Sequence, residues 1–410
     1  MKKRTIAVFC MSILSITLAM LTFLTISSPF NSSISYNDLT DSSQAEPKKL
    51  FLNSWKIIKK RYYDTSLNQQ NWNRWKDKYI DLIKTQEDAY LAINTMLASL
   101  DDPYSRFMNE KEYFEQTTNI DSKIVGIGIN ITSISGKIII LNTVEHTPAQ
   151  KAKIKAGDIL SKVDGKDVHG MNISEIAQLI RGQEGTSVEI EILRDNKKLI
   201  KKLTREKIEI KSVKHEILPN NIGYIQITSF LGSNVAEDFL LSMKSIKDTQ
   251  GLILDLRGNT GGLLPNAVFI TDLFLSEGNI VSIVDRNGIK NDITAQDKIA
   301  LTQKPMIILI DGATASASEI VSGALKDYKL AVLVGEKTYG KGMVQKIYPM
   351  PNKTGMNLTI AKYLTPNGSD INKKGILPDY EVKYTQKDYY AQKDPQLDAA
   401  KKIMLKLCAL

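Results

Sequence analysis

The chain has 410 residues, of which 42% are hydrophobic and 24% are charged, a composition typical of folded globular proteins. This length predicts two or three domains. The net charge of +9 comes from lysines spread through every region. Because no dense basic run is interleaved with aromatic residues, we expect no nucleic-acid partner.

An apolar segment lies near the N-terminus. The basic residues Lys2–Arg4 precede an uncharged run, Ile6–Ile26, that is long enough to cross a bilayer as a helix. No Lys or Arg occurs over Ser27–Glu46, a charge bias that places the N-terminus in the cytoplasm and the body outside. We therefore expect residues 1–30 to form a single-pass membrane anchor. A cleaved signal peptide, which would release a secreted protein, is the alternative.

The sequence predicts neither a disulfide nor a metal centre. Its two cysteines are Cys10, in the apolar run, and Cys408, close to the end of the sequence. Their positions make them poor disulfide partners. No His/Cys cluster has the spacing of a metal site, and we expect no cofactor.

A helical domain is predicted over residues 47–110, after a polar linker of residues 31–46. A second amphipathic helix within it covers Ala89–Leu100, and we expect Trp72 and Trp75 to lie in the core. The first helix carries apolar residues on one face: Phe51, Trp55, Ile58 and Tyr62.

Residues 111–208 resemble a PDZ domain. In "KIVGIGINI", the family's carboxylate-binding loop corresponds to Gly126, Ile127, Gly128 and Ile129, and "AGDIL…VDGKDV" matches the segment that leads to the family's second helix. Successive backbone N–H groups in such a loop suit a peptide's terminal carboxylate, while the peptide pairs as an added strand. The alternative is that these glycines only shape a β-bulge.

Residues 209–384 alternate between apolar strands and helices. The runs "IGYIQI", "GLILDL", "MIILI" and "LAVLVG" predict an α/β domain with a largely parallel sheet. Chemistry in such sheets gathers in loops past the carboxyl ends of strands, and "DLRGNTGGLL" and "DGATASASEI" are two such loops. Residues 385–410 are expected to form a helical tail, with Leu397, Met404 and Leu407 available for packing.

Ser316 has a structural and a catalytic interpretation. Ser316 and Glu319 satisfy the S-x-x-E capping box, so the serine has a role as a helix cap. The same strand-to-helix turn exposes a serine and points the first helical N–H groups, such as that of Ala317, at a developing oxyanion. A second donor can come from Gly261 or Gly262, where backbone approaches substrate without an intervening side chain.

A serine nucleophile needs a base, and lysine is the alternative to histidine. None of the three histidines lies beside either glycine-rich loop: His146, His169 and His215. Lys341 stands between Gly340 and Gly342 before a strand, and burial would lower its pKa. Gln345 follows within reach to orient the amine. A solvated loop lysine is the alternative.

The same stretch imitates a phosphate-binding loop. Gly335, Gly340 and Lys341 match G-x-x-x-x-G-K, but Gly342 replaces the Ser/Thr that would hold magnesium. The following "MVQKIYPM" has a strand pattern where the motif needs a helix. We therefore expect no nucleotide site.

Several motifs in order resemble those of the carboxyl-terminal processing peptidases, or tail-specific proteases, over residues 48–383. They are "LASLDDPYSRFM", "IGYIQITSF", "LILDLRGNTGGLL", "DGATASASEIVSGALKD", "VGEKTYGKGMVQ" and "KKGILPD", together with the PDZ-like region. These are exported serine endopeptidases with a PDZ domain inserted before a Ser–Lys core of the crotonase/Clp-protease type. The resemblance implies the following site: Ser316 as nucleophile, Lys341 as general base, Gln345 positioning Lys341, and Gly262, Ala317 and Gly261 as oxyanion donors.

Regulation is also implied by the resemblance. In some relatives a PDZ arginine couples peptide binding to the active site, and Arg181 in "LIRGQEGTSV" stands at the corresponding place; a plain surface arginine is the alternative. A further hypothesis is that the apolar tail "KLCAL" binds to a PDZ domain of the same protein.

We therefore expect a multidomain α/β and α+β protein with an N-terminal membrane helix, a helical lead-in domain, a PDZ domain and an α/β Ser–Lys protease core. Its expected function is extracytoplasmic proteolysis of proteins or peptides with apolar C-termini, without a cofactor, in a monomer or homo-oligomer. The competing hypothesis is a membrane-tethered PDZ scaffold that binds peptides without catalysis.

Overall fold

The structure, a computed structural model, describes residues 46–409 apart from 121–122, 135, 196, 210, 297–299, 386 and 389–390. The predicted membrane segment Ile6–Ile26 and most of the linker lie outside the described residues. Among the helices that are described, none is long and apolar enough to cross a membrane.

The helices in chain order are α1 (Pro47–Arg61), α2 (Asn73–Tyr79), α3 (Gln86–Ala98), α4 (Glu110–Ile120), α5 (Pro148–Lys151), α6 (Ile173–Ile180), α7 (Val235–Ser245), α8 (Leu264–Asp272), α9 (Ala317–Asp327) and α10 (Pro395–Cys408). The strands are β1 (Arg106–Met108), β2 (Lys123–Gly126), β3 (Ile129–Ile134), β4 (Lys137–Thr143), β5 (Ile159–Val163), β6 (Lys166–Asp167), β7 (Ser187–Arg194), β8 (Lys197–Thr204), β9 (Glu206–Glu209), β10 (Val213–Leu218), β11 (Ile222–Ile227), β12 (Leu252–Asp255), β13 (Asn279–Asp285), β14 (Lys290–Thr294), β15 (Met306–Ile310), β16 (Val332–Gly335), β17 (Met343–Met350), β18 (Thr354–Leu364) and β19 (Tyr380–Glu381).

These elements form two units, each built from several segments of the chain. Unit 1 takes the described residues of Met1–Phe114, Leu264–Gln303 and Ala315–Glu381, and unit 2 takes those of Glu115–Leu263, Lys304–Thr314 and Val382–Leu410. The region predicted as the protease core, residues 209–384, therefore contributes to both units.

The lead-in part of unit 1 is helical, as the sequence predicts. The apolar face of α1 is buried at Phe51 and Ile58, and the two predicted core tryptophans, Trp72 and Trp75, are buried as well. The indole of Trp55 donates to the Trp72 carbonyl at 3.0 Å, and the indole of Trp72 donates to the Trp55 carbonyl at 3.2 Å. This reciprocal pair ties α1 to the start of α2.

Unit 1 also contains a five-stranded antiparallel sheet in the order β1-β18-β13-β14, with β17 paired to β18. Strand β1 follows directly from the turn "DDPYSR", and Phe107 pairs with Met356 of β18. Met356 and Leu358 belong to the same apolar cluster as the lead-in helices. The lead-in helices and the strands of the predicted core therefore share one hydrophobic core.

The PDZ-like part of unit 2 is an antiparallel sheet in the order β3-β4-β5-β7-β8, with β6 paired to β5. Helix α6 buries Ile176 and Ile180 in the core of this sheet. Strand β3 is at the edge of the sheet. An edge strand has unpaired backbone groups to which an extended peptide can add.

The parallel sheet predicted from the apolar runs is present in unit 2. Strands β11, β12 and β15 pair in parallel, and β10 adds an antiparallel edge. All residues of β12 and β15 are buried, as expected for a covered parallel sheet. The predicted C-terminal helix is α10, which buries Ala400 and Met404, with Met404 against Gly251.

Candidate active site

Ser316 occupies a strained turn between β15 and α9. Its backbone lies at φ 57° and ψ −116°, a region that non-glycine residues rarely adopt and that costs about 1–3 kcal/mol. The Asp311 carboxylate supports the start of the turn by accepting from the N–H groups of Ala313 and Thr314 and from the Thr314 hydroxyl. The serine is half-buried, as expected of a nucleophile held at the surface of its site.

Glu319 completes the predicted capping box with Ser316, and its carboxylate also accepts hydrogen bonds from a second segment of the chain. The box with Ser316 is present, and Ser316 N–H donates to Glu319 Oε2 at 2.8 Å. The same oxygen accepts from Lys341 N–H at 2.9 Å. The other oxygen, Oε1, accepts from Gly340 N–H at 2.8 Å and from the Thr338 hydroxyl at 2.6 Å. The buried carboxylate thus joins the Ser316 turn to the Lys341 loop.

Tyr363 joins the same two segments through their carbonyl groups. Its hydroxyl lies 2.7 Å from the Lys341 carbonyl oxygen and 3.1 Å from the Ser316 carbonyl oxygen. Tyr363 is buried, and burial raises the pKa of its hydroxyl well above the ordinary value. The backbones of the candidate nucleophile and the candidate base are therefore held together on both sides.

Lys341 is half-buried and lies against an aromatic ring. Its Nζ is 5.0 Å from the centre of the Tyr104 ring, and among the described residues no hydrogen bond joins it to Ser316 Oγ. Burial lowers the pKa of Lys341 below its ordinary value, while the charges of Asp102 and Glu319 act to raise it. A lowered pKa is what a general base needs near neutral pH.

The turn before β1 delivers Tyr104 and Asp102 to this lysine. Asp102 accepts from Tyr104 N–H at 3.0 Å and from the Ser105 hydroxyl at 2.6 Å. Ser105 Oγ accepts from Thr359 N–H at 3.0 Å, and the Asn357 side chain donates to the Tyr104 carbonyl at 3.0 Å. The turn is therefore fixed to β18.

The Tyr104 hydroxyl is also engaged. Burial, together with a hydrogen bond to Tyr339, raises the pKa of Tyr104 to about 12. In the sequence, "DDPYSRF" was identified only as part of a family motif, and the position of Tyr104 and Asp102 beside Lys341 was not predicted. The signal was present in an aromatic and an acidic residue beside a proline turn, but nothing local relates them to Lys341.

Gln345 lies at a β-bulge in β17. The pairing with β18 shifts register between Val344 and Gln345, so Gln345 faces Thr359. Its Nε2 is 3.5 Å from Thr359 Oγ1, and it makes no hydrogen bond with Lys341 in the part of the chain that is described. The structure therefore places Gln345 on the strand that follows the lysine, without direct contact.

The candidate oxyanion donors differ in availability. Over the described ranges, the N–H groups of Ala317 and Gly262 have no hydrogen-bond partner, whereas Gly261 N–H donates to Asn259 Oδ1 at 2.9 Å. Gly262 has φ 148°, and a side chain there would collide with the backbone of Phe230. Gly262 is therefore the better placed of the two glycines to offer its N–H.

Within unit 2, the loop that carries these glycines begins at a network of charges. The Arg257 guanidinium contacts both carboxylate oxygens of Asp255 and both of Asp394, at 2.6 to 3.2 Å. Asp394 also caps α10, and Gln396 Oε1 accepts from Arg257 at 3.1 Å. The C-terminal helix is thus tied to the start of the loop.

The predicted peptide-binding loop, Gly126 to Ile129, connects β2 to β3. Ile127 is buried, and its carbonyl accepts from Ala149 N–H at 2.9 Å. Gly128 has φ 80°, and a side chain there would overlap Thr147, so this position requires glycine. These contacts fix the backbone of the loop between β2 and β3.

The PDZ-like domain has two arginines in contrasting surroundings. Arg181 follows the last residue of α6, and its side chain is exposed, without a hydrogen bond or ion pair to any described residue. Arg205, which the sequence did not single out, is buried. It donates to the carbonyls of Leu179, Ile180 and Ser187 at 2.6 to 3.0 Å. Arg205 therefore holds the end of the helix that precedes Arg181.

No group of three or more His, Cys, Asp and Glu residues suited to a metal ion occurs in the described part of the chain. Within unit 1, the candidate site brings together a serine, a lysine, a buried carboxylate and the free N–H group of Ala317, which suits nucleophilic acyl transfer.

Comparisons with known proteins agree with this chemistry. Residues 221–382 match the sequence model of peptidase family S41, residues 139–194 match a PDZ domain, and residues 43–98 match the tricorn protease C1 domain. The chain is 35% identical over 348 residues to a carboxyl-terminal-processing protease of Synechocystis, covering 82% of this chain and 81% of that protein. It is 40% identical over 324 residues to the carboxy-terminal processing protease CtpA of Bacillus subtilis, covering 78% and 68%.

A solved structure agrees as well. The photosystem II D1 C-terminal processing protease superposes with a TM-score of 0.58 at 31% identity, covering 82% of this chain and 93% of that one. Identity above 30% over most of both chains, together with the matched family models, establishes the relationship. The chain belongs to peptidase family S41, among the carboxyl-terminal processing proteases, and is a serine endopeptidase that carries a PDZ domain.

Proposed function

We propose that Ser316 is the nucleophile and Lys341 the general base of this endopeptidase. The observation that supports this pairing is the single oxygen Glu319 Oε2, which accepts from the backbone N–H groups of both residues at 2.8 and 2.9 Å. A serine and a lysine from separate segments are thereby held side by side. The lowered pKa of Lys341 supports the role of base.

The mechanism is acyl transfer. Ser316 Oγ attacks the scissile carbonyl while Lys341 Nζ takes the serine proton, and Lys341 then returns a proton to the leaving amine. The N–H group of Ala317 is the proposed donor to the tetrahedral oxyanion, and water then releases the acyl group. Because Lys341 lies against Tyr104, its side chain must rotate toward Ser316 before proton transfer.

The proposed role of Gln345 is to orient Lys341 after that rotation. Its place at a β-bulge supports this role, because bulges redirect side chains next to active sites.

The proposed substrates are proteins or peptides with apolar C-terminal tails. Two features of the PDZ domain support this class: the open edge of β3 and the rigid loop Gly126 to Ile129. The tail would add as a strand to β3 and present its carboxylate to the loop. Arg181 is proposed to couple tail binding to catalysis, and its exposed side chain is available for a new contact.

The proposed location of the catalytic body is outside the membrane. The support is the uncharged run Ile6–Ile26 behind Lys2–Arg4, with the charge bias of an N-terminus that stays inside. The intact mass of the protein recovered from membranes separates an anchor from a cleaved leader. Digestion by protease added to intact spheroplasts reports the side on which the body lies.

The decisive test is cleavage of an unfolded protein by the full-length chain in mild detergent, beside Ser316→Ala and Lys341→Ala. The substrate carries either an apolar C-terminal tail or the same tail ending in two aspartates. We expect cleavage by the parent alone, with a clear preference for the apolar tail. Cleavage by Lys341→Ala at the parental rate would refute the Ser–Lys mechanism, and equal cleavage of both tails would refute selection by the tail. A parent that binds the tail but never cleaves it would restore the scaffold hypothesis.

A further inference from the structure

Glu319 is a fully buried carboxylate to which four donors point. They are the N–H groups of Ser316, Gly340 and Lys341 and the hydroxyl of Thr338, at 2.6 to 2.9 Å. The Thr338 hydroxyl oxygen itself accepts from Ile376 N–H at 2.7 Å, which leaves its hydrogen for Glu319. A buried charge is costly unless it is satisfied in this way.

A carboxylate fits this arrangement. Each of its oxygens accepts two hydrogen bonds, and a carboxylate has about four acceptor positions. An amide would place hydrogens against the donors on one side. A helix cap needs only the bond to Ser316 N–H, so the three donors on the other segment exceed what capping requires.

The three extra donors belong to the segment that carries the candidate base. Thr338, Gly340 and Lys341 lie before β17, whereas Glu319 lies in the first turn of α9 behind Ser316. The carboxylate therefore sets the separation of the two reacting residues without touching substrate itself.

We propose that Glu319 is a positioning residue for catalysis, which fixes the backbone of Lys341 relative to that of Ser316. This inference rests on the proposed Ser–Lys function. A misplacement of about 1 Å between reacting groups can cost about a hundredfold in rate. Glu319 therefore acts on the rate of the chemical step and leaves the tail-binding surface of the PDZ domain unchanged.

The charge of Glu319 also affects the pKa of Lys341, and this effect can be measured. Three groups face Lys341: the carboxylates of Asp102 and Glu319 and the ring of Tyr104. Both carboxylates favour the ammonium form of Lys341 and so oppose the effect of burial. Removing the charge of Glu319 lowers the pKa of Lys341, so the pH at which the base becomes available falls. This shift reports the charge of Glu319 near Lys341, whereas a fall in kcat at unchanged KM reports its positioning role.

The experiment compares Glu319→Gln with the parent in full-length protein, using the apolar-tailed substrate over a range of pH. We expect kcat to fall about a hundredfold with KM changed by less than about twofold, and the acidic limb of kcat/KM to move to lower pH. Ser322→Ala is the matched control. Ser322 is also buried on α9, but its hydroxyl donates to the Ser318 carbonyl of the same helix. We expect it to keep parental kinetics.

A second pair of variants covers the case in which Glu319→Gln does not fold. Thr338→Val removes one donor to the carboxylate, whereas Thr338→Ser keeps it. We expect kcat for the valine variant to be about tenfold below that of the serine variant, because Glu319 Oε1 then keeps only its bond from Gly340 N–H and is less firmly held. Thermal unfolding of each variant shows that the comparison is made on folded protein.

The outcomes separate this proposal from the function on which it rests. If Lys341→Ala is inactive but Glu319→Gln keeps the parental kcat and pH profile, the role of Glu319 is refuted and the Ser–Lys mechanism stands. Equal kcat for Thr338→Val and Thr338→Ser likewise refutes it. If Lys341→Ala cleaves like the parent, the proposed function itself fails.

Discussion

Lys341 Nζ lies 5.0 Å from the centre of the Tyr104 ring, so the helical lead-in region supplies a face of the candidate active site. Tyr104 comes from the turn between α3 and β1, and hydrogen bonds to β18 fix that turn. An ammonium group over an aromatic face gains about 0.5–1 kcal/mol or more. The contact therefore favours the protonated form of Lys341, the proposed base.

Replacing Tyr104 by leucine should move the acidic limb of kcat/KM to lower pH. Leucine keeps Lys341 buried but removes the ring that stabilises its ammonium form, so the pKa of the lysine falls by the equivalent of about 0.5–1 kcal/mol. Tyr104→Phe keeps the ring and should retain the parental profile. A phenylalanine variant that shifts as far as the leucine variant would show that the hydroxyl, and not the ring, is responsible.

Replacing Gln345 by alanine should lower kcat about tenfold and leave KM nearly unchanged. This follows if Gln345 orients Lys341 by one hydrogen bond during catalysis, since such a bond contributes about 0.5–1.5 kcal/mol. Thr359→Val is the control for the long contact between Gln345 and Thr359. If that variant alone reproduces the loss, Gln345 acts by supporting the bulge, and its proposed contact with Lys341 is wrong.

Asp394→Asn should destabilise the protein by about 1–2 kcal/mol at pH 7, measured in urea titrations. Burial acts to raise the pKa of Asp394, but the hydrogen bond and charge of Arg257 hold it below the ordinary value. The ionised form is therefore favoured in the folded state. Its contribution is present above the unfolded-state pKa of about 4 and is lost as the pH falls through the lower folded value.

Two features of this experiment isolate the ion pair. Asparagine still caps α10 through its amide oxygen, so the change removes the charge and the acceptor for one of the two Arg257 bonds but keeps the cap. Asp398→Asn, on the same helix and paired with Lys401 at the surface, should change stability by less than about 0.5 kcal/mol. A difference between parent and Asp394→Asn that persists unchanged at low pH would contradict the assignment to the Arg257 pair.

Substitutions of the two arginines of the PDZ domain should have different effects, one on stability and the other on cleavage. Arg205→Ala removes three buried carbonyl contacts and should cost about 3 kcal/mol. Arg181→Ala should leave stability within about 0.5 kcal/mol, because the side chain is exposed. It should nevertheless reduce cleavage of the apolar-tailed substrate if it couples tail binding to catalysis. Parental cleavage by Arg181→Ala would make it an ordinary surface residue.

Local sequence patterns predicted the elements whose signals are local. The apolar runs of β12 and β15 are buried on both faces, so their composition alone indicated a parallel sheet. The capping box at Ser316 could be predicted because Ser316 and Glu319 are close in sequence. The helix α10 was readable from its apolar spacing.

Contacts between residues that are distant in sequence could not be predicted from local patterns. The antiparallel sheet of unit 1 joins β1 to β18, and no local pattern encodes which distant strands will pair. Glu319 was interpreted only as a cap because its contacts with Gly340 and Lys341 depend on how a later loop folds back. Tyr104 was missed for the same reason, since the fold and not the spacing brings it to Lys341.

The positive φ angle of Ser316 costs folding stability at the residue that we propose as the nucleophile. Glycine adopts a φ of 57° without strain, whereas any residue with a Cβ is strained there. Ser316→Gly should therefore be inactive yet about 1 kcal/mol more stable than the parent, while Ser316→Ala should keep the strain. The more stable sequence for this turn is thus catalytically inactive. Ser316→Gly is therefore a better variant than Ser316→Ala for trapping a bound substrate.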